Sequence, residues 1–145
     1  MKSSRRRARE FAVQGLYQWQ LAKHPVTVIA AQLAEAKGYA RIDAAYFTEL
    51  IEGVVKHVER LEGDITPMLD RKFAELSPIE RAVLMIAAYE LAYQPETPYK
   101  VIINEAVELA KTYGGTDGHK YVNGVLDRLA QHLRSGEAKA RTVAG

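Results

Sequence analysis

The chain has 145 residues, 48% of them hydrophobic, which is enough for one domain that buries roughly two thirds of its unfolded surface without metal or disulfide support. It has no cysteine, which excludes disulfide scaffolds, thiolate-ligated zinc and thiol catalysis. The formal net charge of +2 conceals an asymmetry: residues 1–10 carry five basic side chains and one acid, residues 134–145 three and one, and residues 11–133 twelve against sixteen, so an acidic body has two basic ends.

The first element, KSSRRRAREFAVQGLYQWQL at residues 2–21, is at once an arginine cluster and a core helix. Ser3 or Ser4 is a good N-cap, and a helix starting there places Ala8, Phe11, Ala12, Leu16 and Trp19 on one side. Tyr17 then projects roughly opposite, with Arg6 and Val13 near its own side, and an outward Tyr beside an outward Val makes a candidate interface anchor. Arg5, Arg6, Arg7 and Arg9 occupy the first two turns, where the helix dipole favours acids. An external polyanion compensates them best, because guanidinium forks match phosphate and folded arginine-rich segments bind RNA. The bland alternative is a solubilising terminus. A targeting peptide fits less well, since the apolar stripe carries a Trp and a Phe and runs on past Leu21 without a cleavage boundary.

After His24-Pro25 the segment from Val26 to Lys37 predicts a modest helix closed by Gly38. Asp43 caps a longer run in which Phe47, Leu50, Ile51, Val54, Val58 and Leu61 recur at threes and fours until Gly63. Residues 64–72, with Pro67 near the start, predict a short linking helix. Ser77-Pro78-Ile79-Glu80 is a capping box with proline at the first helical position, and the helix it opens is apolar all round from Ala82 to Tyr89 before Pro95 ends it, so it is expected at the centre of the fold. Thr97-Pro98 starts a helix that Gly114-Gly115 stops. Thr116 or Asp117 caps the last one, whose stripe is Val122, Val125, Leu126, Leu129 and Leu133.

No segment alternates like a strand. The expected architecture is all-α, a single compact domain of about seven helices over residues 1–134 with a flexible tail at 135–145. The longest apolar run, Ala82 to Tyr89, is far short of the ~20 residues a membrane span needs, so no membrane partner and a cytoplasmic location are expected. The four histidines have no metal-ligand spacing, and the glycine-rich loop at 114–118 follows a helix rather than a strand and lacks a P-loop lysine. No cofactor or metal and no enzymatic activity are expected. Glu105 and Glu108, at i and i+3, read as acids on a wet face.

Three blocks carry a resemblance: RRRAREFAVQGLYQWQL at 5–21, ERAVLMIAAYEL at 80–91 and above all PYKVIINEAVELAKTYGGTDGHKYVNGVLDRL at 98–129. They closely resemble the NusB family of bacterial transcription antitermination factors, over nearly the whole chain and more loosely between Lys23 and Ala45 and in the tail. The same fold opens certain rRNA cytosine methyltransferases. No such domain follows here, so a free-standing factor is expected. The resemblance implies an all-helical protein that binds single-stranded boxA RNA of rRNA leader transcripts together with the ribosomal protein NusE, within the RNA polymerase antitermination complex. It implies RNA contacts from Arg5, Arg6, Arg7 and Arg9 and from Asp117, His119, Lys120 and Tyr121 at the start of the last helix. It implies a partner surface at Tyr17 and Glu80. Met68 stands where an aromatic able to stack on a base is expected. A homodimer stays open, as does the rival reading of an all-helical protein-interaction or ribosome-assembly module whose arginines only aid solubility.

Overall fold

The computed structural model describes residues 2–115 and 117–137. Among them are seven α-helices: α1 (Ser4–Ala22), α2 (Val26–Ala34), α3 (Ala44–Lys56), α4 (Val58–Ile65), α5 (Pro78–Tyr93), α6 (Tyr99–Tyr113) and α7 (Gly118–Leu133). Short 3-10 turns lie at Tyr39–Arg41, Thr66–Met68 and Phe73–Glu75. No strand occurs among the described residues.

Side chains cap the starts of three of the helices, α1, α3 and α5. Ser3 Oγ accepts from the Arg6 N–H at 3.0 Å and Asp43 Oδ1 from the Tyr46 N–H at 3.1 Å. The capping box on α5 is complete: Ser77 Oγ accepts from the Glu80 N–H and Glu80 Oε1 from the Ser77 N–H, both at 3.1 Å. Two expectations are corrected. The long run from Asp43 to Gly63 is two helices, broken at His57, whose ring stacks on Tyr93 of α5 at 4.4 Å. The short linking helix expected at 64–72 is smaller than that span: α4 runs through Gly63 to Ile65, and only the 3-10 helix Thr66–Met68 follows it. Thr116, the alternative cap for α7, lies outside the described residues; Asp117 occupies the N-cap position with no side-chain bond to the helix.

Helix α5 is the hub, packed against α1, α3, α4, α6 and α7, and every residue from Ala82 to Leu91 is buried. Two glycines permit close helix approach. A Cβ at Gly15 of α1 would stand 2.5 Å from Ile51 Cδ1, and one at Gly53 of α3 would collide with the Tyr89 ring of α5. Each glycine weakens its own helix by about 1 kcal/mol relative to Ala, which the tighter packing offsets.

Past α7, Arg134 caps α5 from the side, donating to the carbonyls of Leu91 and Gln94 (both 2.8 Å), Thr97 (3.0 Å) and Glu90 (3.3 Å). Glu137 bonds Arg134 at 2.8 Å and accepts from the Tyr99 N–H at 3.0 Å, so the chain is still tied to the bundle three residues beyond 134. The rest of the expected tail, 138–145, lies outside the described residues.

Candidate nucleic-acid interface

The four N-terminal arginines are not equivalent. α1 buries Ala8, Arg9, Ala12, Val13, Gly15 and Leu16, a sector wider than one stripe because the helix packs on α2, α3 and α5 and touches α6. Arg9 falls inside that sector, its side chain only 4% exposed. Its Nη2 donates to Glu90 Oε2 at 2.8 Å and its Nε to Glu90 Oε1 at 3.2 Å. Burial works against the Arg9 charge, but the hydrogen bonds and the charge of Glu90 outweigh it and hold the guanidinium above its ordinary range. Tyr46 completes the cluster, with its hydroxyl on Glu90 and within 2.8 Å of Gln94 Oε1, and Gln94 Nε2 donates to Glu49 at 2.8 Å. Arg9, expected on the RNA surface, is buried here and ties α1 to α5 through Glu90. Val13, expected outward, is likewise fully buried.

Arg6 is exposed enough to meet a ligand but is already paired. Its Nε and Nη2 donate to the two oxygens of Glu105 on α6 at 2.8 and 3.2 Å, and these bonds raise its basicity. Glu105, read from sequence as a solubilising acid, is thus the internal counter-charge of an arginine. Arg5 lies over the Tyr46 ring at 4.0 Å, and the Arg7 side chain makes no hydrogen bond or ion pair among the described residues, its backbone N–H donating to the Ser3 carbonyl at 3.1 Å. Lys2 pairs with Glu10 at 2.6 Å.

The start of α7 lines a different cleft from the arginines. Lys120 is strongly exposed, with its ammonium 3.6 Å from Asp117 Oδ1, and His119 is half-buried beside it. Tyr121 is half-buried, and its hydroxyl donates to Asp70 Oδ1 at 2.9 Å. Met68 and Arg128 share this cleft, of about 530 Å³. Arg128 holds the turn in place by donating twice to the Met68 carbonyl, at 2.8 and 3.1 Å. Hydrogen bonds from Arg71 and from Tyr121 keep the Asp70 carboxyl below its usual range.

Tyr17 is 38% exposed and, with Val13, Gln14, Gln18, Ile79 and Tyr113, lines a shallow depression between α1, α5 and the end of α6. Glu80 follows Ile79 in sequence, and a Cβ at Gly118, the first residue of α7, would stand 3.8 Å from its Oε2. The arrangement offers cations and one aromatic for a polyanion, and next to them an apolar depression with an acid at its edge. Among the described residues no group of acids or histidines is placed to hold a metal, and no helix is long and apolar enough to cross a membrane.

The profile of the NusB family matches residues 6–131, which include every element from the first turn of α1 to the last turn of α7. The chain belongs to the NusB family. A transcription antitermination protein NusB of Paraburkholderia phymatum is 55% identical over 140 residues, covering 97% of each chain. One of Thiobacillus denitrificans is 56% identical over 137 residues, covering 94% of each. Among solved structures, NusB of T. maritima superposes with a TM-score of 0.79 at 30% identity, over 90% of this chain and 93% of that one. A crystal structure of the antitermination factors NusB and NusE in complex with dsRNA matches at a TM-score of 0.80 and 25% identity, over 91% and 99%.

Sequence reasoning missed Glu90, Tyr46, Asp70, Arg71 and Arg128. Glu90 had a visible signal, an acid directly after the apolar run of α5 with Leu91 beyond it, since a charge on a helix buried all round needs a buried partner. Arg71 and Arg128 had none, because their role depends on where a non-helical segment crosses α7.

Proposed function

We propose that this NusB-family protein binds the boxA element of nascent rRNA leader transcripts together with NusE, and in that complex helps RNA polymerase read through terminators. The observation that carries the reading is the likeness, over nearly the whole chain, to a NusB crystallised with NusE and RNA. The geometry supports it. Arg5, Arg7 and, once released from Glu105, Arg6 offer phosphate contacts, and Lys120 and Tyr121 offer a charge and a ring at the start of α7. Asp117 and His119 lie on the same turn. Tyr17 and Glu80 suit a basic ribosomal protein, because carboxylates repel RNA but attract such a partner and Tyr17 supplies an apolar anchor. The protein works by binding rather than catalysis, and in the cytoplasm, where nascent transcripts are made.

The test is a fluorescence-anisotropy titration with single-stranded boxA-like RNA, the same RNA as a duplex, and duplex DNA of the same sequence, with and without NusE. Preference for the RNA, strengthened by NusE, supports the reading. Equal and weak binding to all three, with NusE binding intact, favours a protein-interaction or ribosome-assembly module. The internal pairing of Arg6 and Arg9 is the observation that keeps this second reading in view.

A further inference from the structure

The ring of Tyr121 already carries a cation on one face. The Arg71 guanidinium lies over it at 4.3 Å, and one carboxylate organises both groups: Asp70 Oδ1 accepts from the Tyr121 hydroxyl at 2.9 Å and from Arg71 Nε at 2.8 Å. Arg71 Nη2 reaches the other Asp70 oxygen at 3.4 Å. The turn before them is fixed by Arg128 on the Met68 carbonyl, so Asp70 is presented to the ring by a braced backbone. A planar cation thus occupies a ring face beside an open polar cleft.

We propose that Arg71 is a specificity-determining residue of the RNA site: it fills the face of Tyr121 that a nucleobase takes, and on binding it leaves the ring for a backbone phosphate. This deepens the RNA-binding reading and rests on it. Three features carry the inference. A guanidinium is flat and matches the shape of a base over an aromatic ring, so the ring is kept in stacking geometry without RNA. Base–aromatic stacking outweighs an exposed cation–π contact, so a base displaces Arg71 while a bare sugar-phosphate chain does not. The displaced guanidinium lies next to the backbone of the stacked nucleotide, and arginine pairs with phosphate through a two-pronged fork. Asp70 keeps its bond to the Tyr121 hydroxyl throughout and repels phosphate from the spot Arg71 vacates, which makes the ring a place for a base only.

The experiment uses the full chain, with and without NusE, and a single-stranded boxA-like RNA carrying 2-aminopurine at successive positions. Stacking is read as fluorescence quenching at saturation, and phosphate contact as the salt dependence of affinity. For the parent protein quenching peaks at one position. Arg71→Ser keeps the depth of that peak and lowers the log–log salt slope by roughly 0.7, one single-strand phosphate. Arg71→Lys keeps both the peak and the slope, since lysine carries the charge to the phosphate. Tyr121→Leu abolishes the quenching peak. If Arg71→Ser changes the quenching at saturation, because Arg71 stays at the ring in the complex, or leaves the slope unchanged, Arg71 is no placeholder and the proposal is overturned. Failure of the parent protein to bind RNA with or without NusE would instead remove the RNA-binding reading beneath it.

Discussion

Arg9 on α1 and Glu90 on α5 form an ion pair with side chains 4% and 2% exposed, N to O 2.8 Å apart, at the centre of a protein whose arginines suggest a wholly external role. Removing one partner of a buried pair strands the other charge, at a cost of about 3–5 kcal/mol. Arg9→Ala and Glu90→Ala should each lower the urea midpoint accordingly, whereas Arg7→Ala should leave it nearly unchanged. A fully stable Arg9→Ala variant with weakened RNA binding would reverse the assignment of Arg9 as a strut.

With Arg9 withdrawn, the N-terminal cluster has three arginines to offer to phosphate, so the log–log salt slope they contribute to single-stranded RNA binding should be about −2. Glu105→Gln keeps the shape of the Arg6 partner but removes its charge, and should tighten RNA binding a few-fold at low salt with less gain at high salt. An RNA titration at two salt concentrations decides it, and weaker binding in the variant would show that Glu105 positions Arg6 rather than competes for it.

Asp117 stands at the N-cap of α7 without a side-chain bond to the helix and 3.6 Å from Lys120. Asp117→Asn should therefore leave the melting temperature within a degree or two and tighten RNA binding modestly, by removing a repulsive charge and releasing Lys120. Weaker binding together with a lower melting temperature would assign Asp117 to capping instead.

Tyr17 is exposed on α1, so Tyr17→Ala should leave folding nearly intact while weakening NusE binding by about 2 kcal/mol, the scale of an interface hot spot. Calorimetric titrations with NusE and, separately, with RNA test the split. Intact NusE affinity with a melting temperature several degrees lower would make Tyr17 a packing residue of α1.

Burial, and then the charge and hydrogen bond of Glu90, hold the Tyr46 hydroxyl well above its ordinary value of 10.0, while Arg9 and Arg5 on the ring pull the other way. A raised folded-state value contributes its stability in full below pH 10.0 and loses it as pH climbs towards the folded value. The parent protein should therefore lose stability more steeply than Tyr46→Phe above about pH 10, as read by urea titrations from pH 8 to pH 11. Parallel profiles would place the alkaline loss elsewhere.

What the amino-acid sequence determined by itself is the all-α class, the starts of its side-chain-capped helices and the family. Ser3, Asp43 and the Ser77–Glu80 box act within three residues of themselves, and the apolar stripes of α6 and α7 are a property of consecutive turns, so both are legible in one dimension. The break at His57 was hidden, because apolar spacing continues across it and only the stack on Tyr93 marks the bend. What tertiary structure alone decided is which charges face outward. Arg6 and Arg9 are three residues apart on one helix and look alike in sequence, yet their partners stand 99 and 81 residues away on α6 and α5. Coulombic pairing depends on distance in space and on the water removed around each pair, and neither quantity exists until α1, α5 and α6 have packed.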